Sequence, residues 1–349
     1  MTVVAILGTG LIGCSIGLNL KKIYKSDSKK ASDLVIRGFD KYGDVLKKAK
    51  SLGAIDKITS SPLDAIADAD LIVLATPILA MKPLIEEISG SISSKSIITD
   101  TGSTKSEIHG WMNEFLPDHT GFVGSHPMAG KTDTGPDAAS EDLFSGGRWV
   151  ISPRVNSSEA AIATVQNLAK QCGASVMTMD PEEHDSYVAA ISHLPMMAAT
   201  ALFSVVRASE AWPELSLLAA GGFRDTTRLA ASDRDMSYDI TSTNAANIVH
   251  WINRYIAGLS ELRDQIDSGE ALNEDLYKLI AATQWEYDLF LNGKVGREEK
   301  GLSGTKDMEP GMLDFLAGGW VREKLGQLNK DAEDRSAQSD LERLQRRDI

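Results

Sequence analysis

Residues 2–13 read Thr-Val-Val-Ala-Ile-Leu-Gly-Thr-Gly-Leu-Ile-Gly, an apolar run followed by glycines at positions 8, 10 and 13. Ile16, Leu20 and Ile23 then recur at helical spacing, so the stretch predicts strand, tight turn and helix. Each glycine has its own reason. Gly8 permits the turn, Gly10 lets a pyrophosphate reach the backbone, and Gly13 lets the helix lie close on the strand. The helix N-terminus, with Leu11 and Ile12 in its first turn, would face the phosphates. A glycine fingerprint alone also fits a merely tight loop. Here a second apolar run, residues 34–39, ends in Asp40, a carboxylate placed to accept from both adenine-ribose hydroxyls. Asp40 lies farther along than the usual ~20 residues, and the polar stretch 25–33 is read as a surface insertion that takes up the excess. A carboxylate there would repel a 2′-phosphate and favours NAD over NADP, while Lys41 beside it pulls the other way.

Strand-like and helix-like runs then alternate: 71–75, a helix over 79–88, 96–99, a helix from Thr104, and 121–123. Short apolar strands separated by helices predict a parallel sheet covered on both faces. Ala75-Thr76-Pro77 and Asp100-Thr101-Gly102-Ser103 fall at the carboxyl ends of two strands, where such sheets place ligands, and are candidate nicotinamide-side contacts. Ser103 has an even alternative: it or Thr104 caps the next helix, with Glu107 completing a capping box for Thr104.

After a strand at 149–152, a helix over 159–171 and a strand at 174–179, strand signals become scarce. From Pro181 onward the chain reads as helices. Ile248, Ile252, Tyr255, Leu259, Leu262 and Ile266 form an amphipathic stripe, and Leu272, Leu276, Leu279, Ile280 and Leu291 extend a second. Long striped helices without a large domain of their own often complete their core in a dimer, so a homodimer through this half is expected. The fold class is therefore an α/β Rossmann-type parallel-sheet domain (1–180), an all-α C-terminal dimerisation domain (181–330) and a polar tail (331–349).

With 349 residues, 42% of them hydrophobic, two cored domains are the default. A net charge of -13 argues against nucleic acid or an anionic membrane as main partner, since both attract positive fields. Cys14 and Cys172 are the two cysteines, and neither stands at a metal-ligand spacing from a histidine, so no metal and no disulfide framework is expected. The apolar runs fall short of a bilayer span, and 194–206 reads as a buried core helix. No export signal follows Met1, which fits the cytoplasm.

Three segments carry chemistry. Gly124-Ser125-His126-Pro127-Met128-Ala129-Gly130 sets a histidine in a tight loop just after a strand-like run; its alternatives are a proton acceptor and an ordinary hydrogen-bonded turn histidine. His184-Asp185 begins a helix that continues to His193, nine residues on. That interval is two and a half turns, so the two histidines face opposite ways unless the helix is disturbed. Gly221-Gly222-Phe223-Arg224-Asp225-Thr226-Thr227-Arg228 loads a glycine turn with cations that can clamp a carboxylate, Arg228 alternatively pairing with Asp225. His109, His119 and His250 read as surface or packing residues, and Cys14 as a packing residue.

In this order, the glycine turn at 8–13, Asp100-x-Gly102-Ser103-Thr104-Lys105, the His126 segment, Ser192-His193-Leu194-Pro195 and the Arg228 segment make the chain resemble the prephenate and arogenate dehydrogenases of tyrosine biosynthesis, over about residues 1 to 290. The resemblance implies a cleft between a Rossmann domain and a helical dimerisation domain. It implies NAD-dependent oxidation and decarboxylation of a cyclohexadiene carrying a ring carboxylate, an opposite ring hydroxyl, and a pyruvyl (prephenate) or alanyl (arogenate) side chain. Prephenate is the leading substrate. By the same resemblance His126 takes the hydroxyl proton, Ser103 helps to orient it, His193 contacts substrate, and Arg228 holds a substrate carboxylate, with Gly221, Arg224 and Asp225 around it and Asp225 the gate partner of an arginine. Lys131-Thr132-Asp133 stands where several members carry an acidic residue. The stretch after Gly293 is read as too short for an ACT domain, so no appended sensor is expected. Two other readings are a β-hydroxyacid dehydrogenase, whose helical-domain lysine motif is not evident, and a non-catalytic NAD-binding sensor, which has no need of His126.

Overall fold

The computed structural model describes residues 2–26, 34–130, 133–268 and 274–293. Among these, the residues up to 268 belong to one compact unit and 274–293 to a second. The first opens with β1 (Thr2–Leu7), α1 (Leu11–Ser26), β2 (Leu34–Phe39), α2 (Gly43–Ser51), β3 (Lys57–Ile58), α3 (Pro62–Ile66), β4 (Leu71–Leu74), α4 (Ile78–Ser89), β5 (Ile97–Asp100) and α5 (Ser106–Phe115). It continues with β6 (Phe122–Met128), β7 (Arg148–Pro153), α6 (Glu159–Gln171) and β8 (Ser175–Thr178). Helices follow: α7 (Pro181–Val188), a π turn (Ala189–His193), α8 (Leu194–Arg207), α9 (Trp212–Leu218), α10 (Gly221–Thr227), a 3-10 turn (Arg228–Ala231), α11 (Arg234–Thr243) and α12 (Ala245–Asp267). In the second unit α13 spans Glu274–Leu291. The insertion read into 25–33 falls mostly outside the described residues, α1 running on to Ser26; Lys131, Thr132, Leu272 and the tail also lie outside them.

The sheet runs β3-β2-β1-β4-β5-β6-β7-β8, whose first six strands have the doubly wound Rossmann order. β1 shows why it is central: Val4 and Ile6 enter one core while Val3, Ala5 and Leu7 enter the other, so both faces are covered. Ala189, Met196, Ile240 and Ile248 of the helical half complete that second core. The expectation of a parallel sheet holds except at one seam, where β6 and β7 run antiparallel. The connection between them carries only a 3-10 turn (Pro136–Ala138) and no α-helix among the described residues, so the chain returns beside itself without a helical crossover.

The histidine segment also departs from its reading. Instead of a loop, residues 122–128 form β6, with His126 opposite Val150. β5 pairs only with Phe122 and Val123, so farther on β6 is paired on one side, where a proline is tolerated. The apolar run 194–206 changes as well. Pro195 follows closely on the wider π turn, which accommodates it, and a continuous helix of 27 residues spans Pro181–Arg207. By length and composition that helix could cross a membrane. It is not a buried core helix: in α8 only Met196 and Ala199 are buried, and Val205 is 73% exposed.

Candidate active site

The glycine turn builds the nucleotide end. Gly8 has φ +98°, and a Cβ there would lie 2.4 Å from the Ala75 carbonyl oxygen; a Cβ on Gly13 would lie 2.1 Å from that of Gly8. Turn, helix and β4 thus close on one another through missing side chains. A Cβ on Gly10 meets nothing within 4 Å, which leaves the open backbone that a pyrophosphate needs. Leu11 and Ile12 begin α1, and no side chain caps that end among the described residues. Asp40 accepts from the backbone N–H of Thr9 at 2.8 Å and of Tyr42 at 3.1 Å. Thr9 Oγ1 also donates to it at 3.4 Å; a carboxylate offers about four lone-pair sites, so about one remains for a ribose hydroxyl. At the end of β4, Thr76 Oγ1 is buried and unpartnered among the described residues, between Ala75, whose N–H bonds the Leu7 carbonyl, and Pro77, which precedes α4. Thr101 N–H is held by the Leu74 carbonyl at 3.0 Å. An open phosphate cradle, a carboxylate with spare capacity and an orphaned hydroxyl fit a dinucleotide. Beneath them Cys14 donates to the Thr9 carbonyl, and burial, with Asp40 nearby, pushes its thiol up to about 12, which suits packing.

The N-termini of α4 and α5 are closed from the helical half. α4 is capped by Asp239 of α11, whose Oδ2 accepts from Leu79 N–H at 3.1 Å. α5 is capped by Asp185 of α7, which accepts from Lys105 N–H at 2.7 Å and Ser106 N–H at 2.8 Å. The capping alternatives for Ser103 and Thr104 therefore do not form. Thr104 Oγ1 instead meets Thr243 Oγ1 at 2.8 Å, and Ser103 makes no side-chain hydrogen bond among the described residues. Asp100, expected among the cofactor contacts, is fully buried with both oxygens engaged, by Lys105 Nζ, Gly102 N–H (2.9 Å) and Ser125 N–H (3.1 Å). Burial lowers the pKa of the Lys105 ammonium, and Asp100 pulls it partly back. Lys105 Nζ also donates to the Ser125 carbonyl at 2.8 Å, which fixes the residue before His126.

His126 meets a second histidine. Its Nδ1 lies 2.9 Å from His184 Nε2, the rings edge to face at 76°, and His184 Nδ1 lies 2.8 Å from Asp185 Oδ1. Burial, then His184, Lys105 and His193, hold His126 well below the usual imidazole range. Burial pushes the Asp185 carboxyl up, but hydrogen bonds from His184, Ser106 and Lys105 outweigh it and keep it low and ionised. His193 is also buried; its Nδ1 accepts from Asn244 Nδ2 at 3.2 Å, and Asn244 donates to the Asp185 carbonyl at 2.7 Å. Burial brings His193 down to about 4.

The two helix histidines were placed on opposite faces unless the helix is disturbed, and it is. Nine α-helical residues give about 180° of separation, and the extra residue of the π turn removes about 100° of it. Both now serve one cluster, His184 through Asp185 and His193 through Asn244. Arg228 opens a 3-10 turn packed on α8 and is exposed, as are Gly221, Arg224 and Asp225. The alternative ion pair between Arg228 and Asp225 is not formed, so this guanidinium has no acidic partner among the described residues. Among the described residues no three His, Cys, Asp or Glu side chains converge as a metal site.

Comparison with known proteins decides the lineage. Residues 26–178 match the nucleotide-binding domain of prephenate dehydrogenase, and residues 180–282 match its dimerization domain. The chain belongs to the prephenate dehydrogenase family. It is 34% identical over 272 residues to the prephenate dehydrogenase of Bacillus subtilis, covering 77% of this chain and 71% of that one. It is 33% identical over 267 residues to the cyclohexadienyl dehydrogenase of Zymomonas mobilis, covering 76% and 88%. The crystal structure of the A. aeolicus prephenate dehydrogenase with hydroxyphenyl propionate and NAD+ superposes with a TM-score of 0.74 at 28% identity, covering 83% and 98%. Within this prephenate dehydrogenase fold, His184, Asp185, Lys105 and Asn244 are the members of the cluster that sequence reasoning left without a role. Adjacency of His184 to Asp185 was the available signal.

Proposed function

We propose that the chain catalyses the NAD-dependent oxidative decarboxylation of prephenate to 4-hydroxyphenylpyruvate, with His126 as the base. The observation that carries this reading is the His126 imidazole itself. It is kept neutral by burial, stands beside the carboxyl edge of a dinucleotide fold, and is fixed from behind by His184. Gly10 and the α1 N-terminus would hold the pyrophosphate and Asp40 the adenine ribose. The bound nicotinamide supplies the hydride acceptor. His126 accepts the ring-hydroxyl proton as the hydroxyl-bearing carbon gives up its hydride. The bond from the ring to its carboxylate then breaks, its electron pair completes the aromatic ring, and CO2 leaves; the phenolate oxygen recovers a proton from the cluster. Ser103, whose hydroxyl makes no hydrogen bond among the described residues, would orient the substrate hydroxyl, and His193 would donate from Nε2 within the cleft. Arg228, without an acidic partner among the described residues, would clamp a substrate carboxylate through paired hydrogen bonds, flanked by Gly221, Arg224 and Asp225.

The change between family domains at residues 178–180 supports a working boundary at residue 180, with the site at the junction and a homodimer built on the helical half. Likeness to a cyclohexadienyl dehydrogenase favours arogenate as a second substrate. The deciding experiment measures NAD+ and NADP+ reduction with prephenate and arogenate side by side, in wild type and His126→Asn. We expect NAD+ reduction with prephenate, and a kcat lower by about 10² to 10⁴ in the variant with unchanged NAD affinity. Undiminished turnover in His126→Asn removes it as the base.

A further inference from the structure

A base held far below the usual imidazole range has a difficulty: the proton it accepts leaves a cation where burial, Lys105 and His193 all disfavour one. The hydrogen bonds around His126 offer a way out. The ionised Asp185 can only accept, so His184 donates from Nδ1 and, when neutral, accepts at Nε2. His126 must then donate from Nδ1, which leaves the Nε2 lone pair free. The chain Asp185, His184, His126 therefore fixes one tautomer of the base without touching its reacting nitrogen.

We infer that His184, braced by Asp185, is the relay partner of His126: it fixes Nε2 of His126 as the accepting atom and takes up the resulting charge. As a proton binds His126 Nε2, the Nδ1 proton of His126 crosses the 2.9 Å hydrogen bond to His184 Nε2. Proton number is conserved. His126 ends neutral in its other tautomer, and the cation rests on His184, 2.8 Å from the Asp185 carboxylate. Lys105 is already neutralised by Asp100, and His193 is held neutral on Asn244, so His184 is the cluster member with an anion available to it. Asp185 does not take the proton; its hydrogen bonds from the α5 N-terminus keep it ionised. His184 is thus a positioning residue as well as a proton carrier. The inference rests on the proposed role of His126.

The test is nitrogen NMR of the 15N-histidine protein without substrate, together with the pH profile of kcat/KM. In wild type at neutral pH, His126 should carry its proton on Nδ1; on acidification, His184 should become the imidazolium while His126 switches to the Nε2–H tautomer. His184→Gln keeps an acceptor for His126 Nδ1–H but cannot hold a proton. It should retain the tautomer, shift the acidic limb of kcat/KM to lower pH, and lose about 10-fold to 10²-fold in kcat, part of what a positioned base contributes. His184→Ala should lose the tautomer as well, with KM unchanged in both variants. The relay is overturned if wild-type His126 protonates to imidazolium before His184, or if the acidic limb of His184→Gln stays in place. A wild-type protein that turns over neither prephenate nor arogenate removes the functional reading instead, and the substrate-free spectra still decide where the proton goes.

Discussion

Arg228 and His126 mark two ways in which a residue is prepared for a ligand. His126 is stripped of charge by its surroundings, whereas Arg228 keeps its charge and has no acidic partner among the described residues. Replacing Arg228 with alanine should raise KM by roughly 30-fold, the loss of a bidentate charge-assisted pair of about 2 kcal/mol, with little change in kcat. Steady-state kinetics showing an unmoved KM would place the substrate carboxylate elsewhere. At this scale the sequence was generous with residue types and silent on wiring. His126, His193 and Arg228 stood out through glycine and proline neighbours, because turns and strand ends select those residues locally. His184 was singled out beside Asp185 but given no role, because its importance is a hydrogen bond to a residue 58 positions away. Asp100 misled for the same reason: its place at a strand end is local, but its buried ion pair with Lys105 is not.

Between elements, the glycine turn separates two physical duties that sequence alone groups together. Gly10→Ala should leave thermal stability near wild type, since a Cβ there meets nothing within 4 Å, yet weaken NAD binding by filling the phosphate approach. Gly13→Ala should instead lower stability, because its Cβ would fall 2.1 Å from the Gly8 carbonyl oxygen. Equal Tm for the two variants would contradict the division. Helix ends make a second prediction. Asp239→Ala removes the cap from α4 and should cost about 0.5 to 2 kcal/mol in urea unfolding; an unchanged midpoint would mean that water replaces the carboxylate at no loss. The alternation of β1, the stripe of α12 and most strand positions were legible because burial imposes a period on them. β6 was cut short because Gly124 and Pro127 imitate a turn, and the π turn was invisible because it changes helical phase without changing composition.

Over the whole molecule, three histidines set an acid limit. His109, packed edge to face on Phe122, is brought by burial to about 4, as is His193, and His126 lies well below its usual value. Their folded pKa values are depressed, so the unfolded chain binds protons first as pH falls. Stability is then full above about pH 6.5 and drains away between about 6.5 and 4, by up to roughly 3 kcal/mol for each of His109 and His193. Urea unfolding across pH 7 to 5 should show this slope, and His109→Gln should flatten it by about one proton; a midpoint independent of pH would mean that these imidazoles are not buried neutral. The α12 stripe shows what one chain leaves incomplete. Ile248 is buried, but Tyr255, Leu259 and Ile266 are 45%, 47% and 69% exposed, in a segment that matches a dimerization domain. The stripe signals burial at Ile248, and the rest of it is the surface that the proposed homodimer would use.

Asp185 and Asp239 close two helix ends of the nucleotide-binding half from positions 79 and 160 residues farther along the chain. A ribosome releases the sheet and its helices before either aspartate has emerged, at about 5 to 20 residues per second. During those seconds the N-termini of α4 and α5 stand open beside that of α1, positively polarised and accessible to anions. Arrival of α7 and α11 closes the ends of α4 and α5, so segments synthesised later set where the half made earlier can hold an anion.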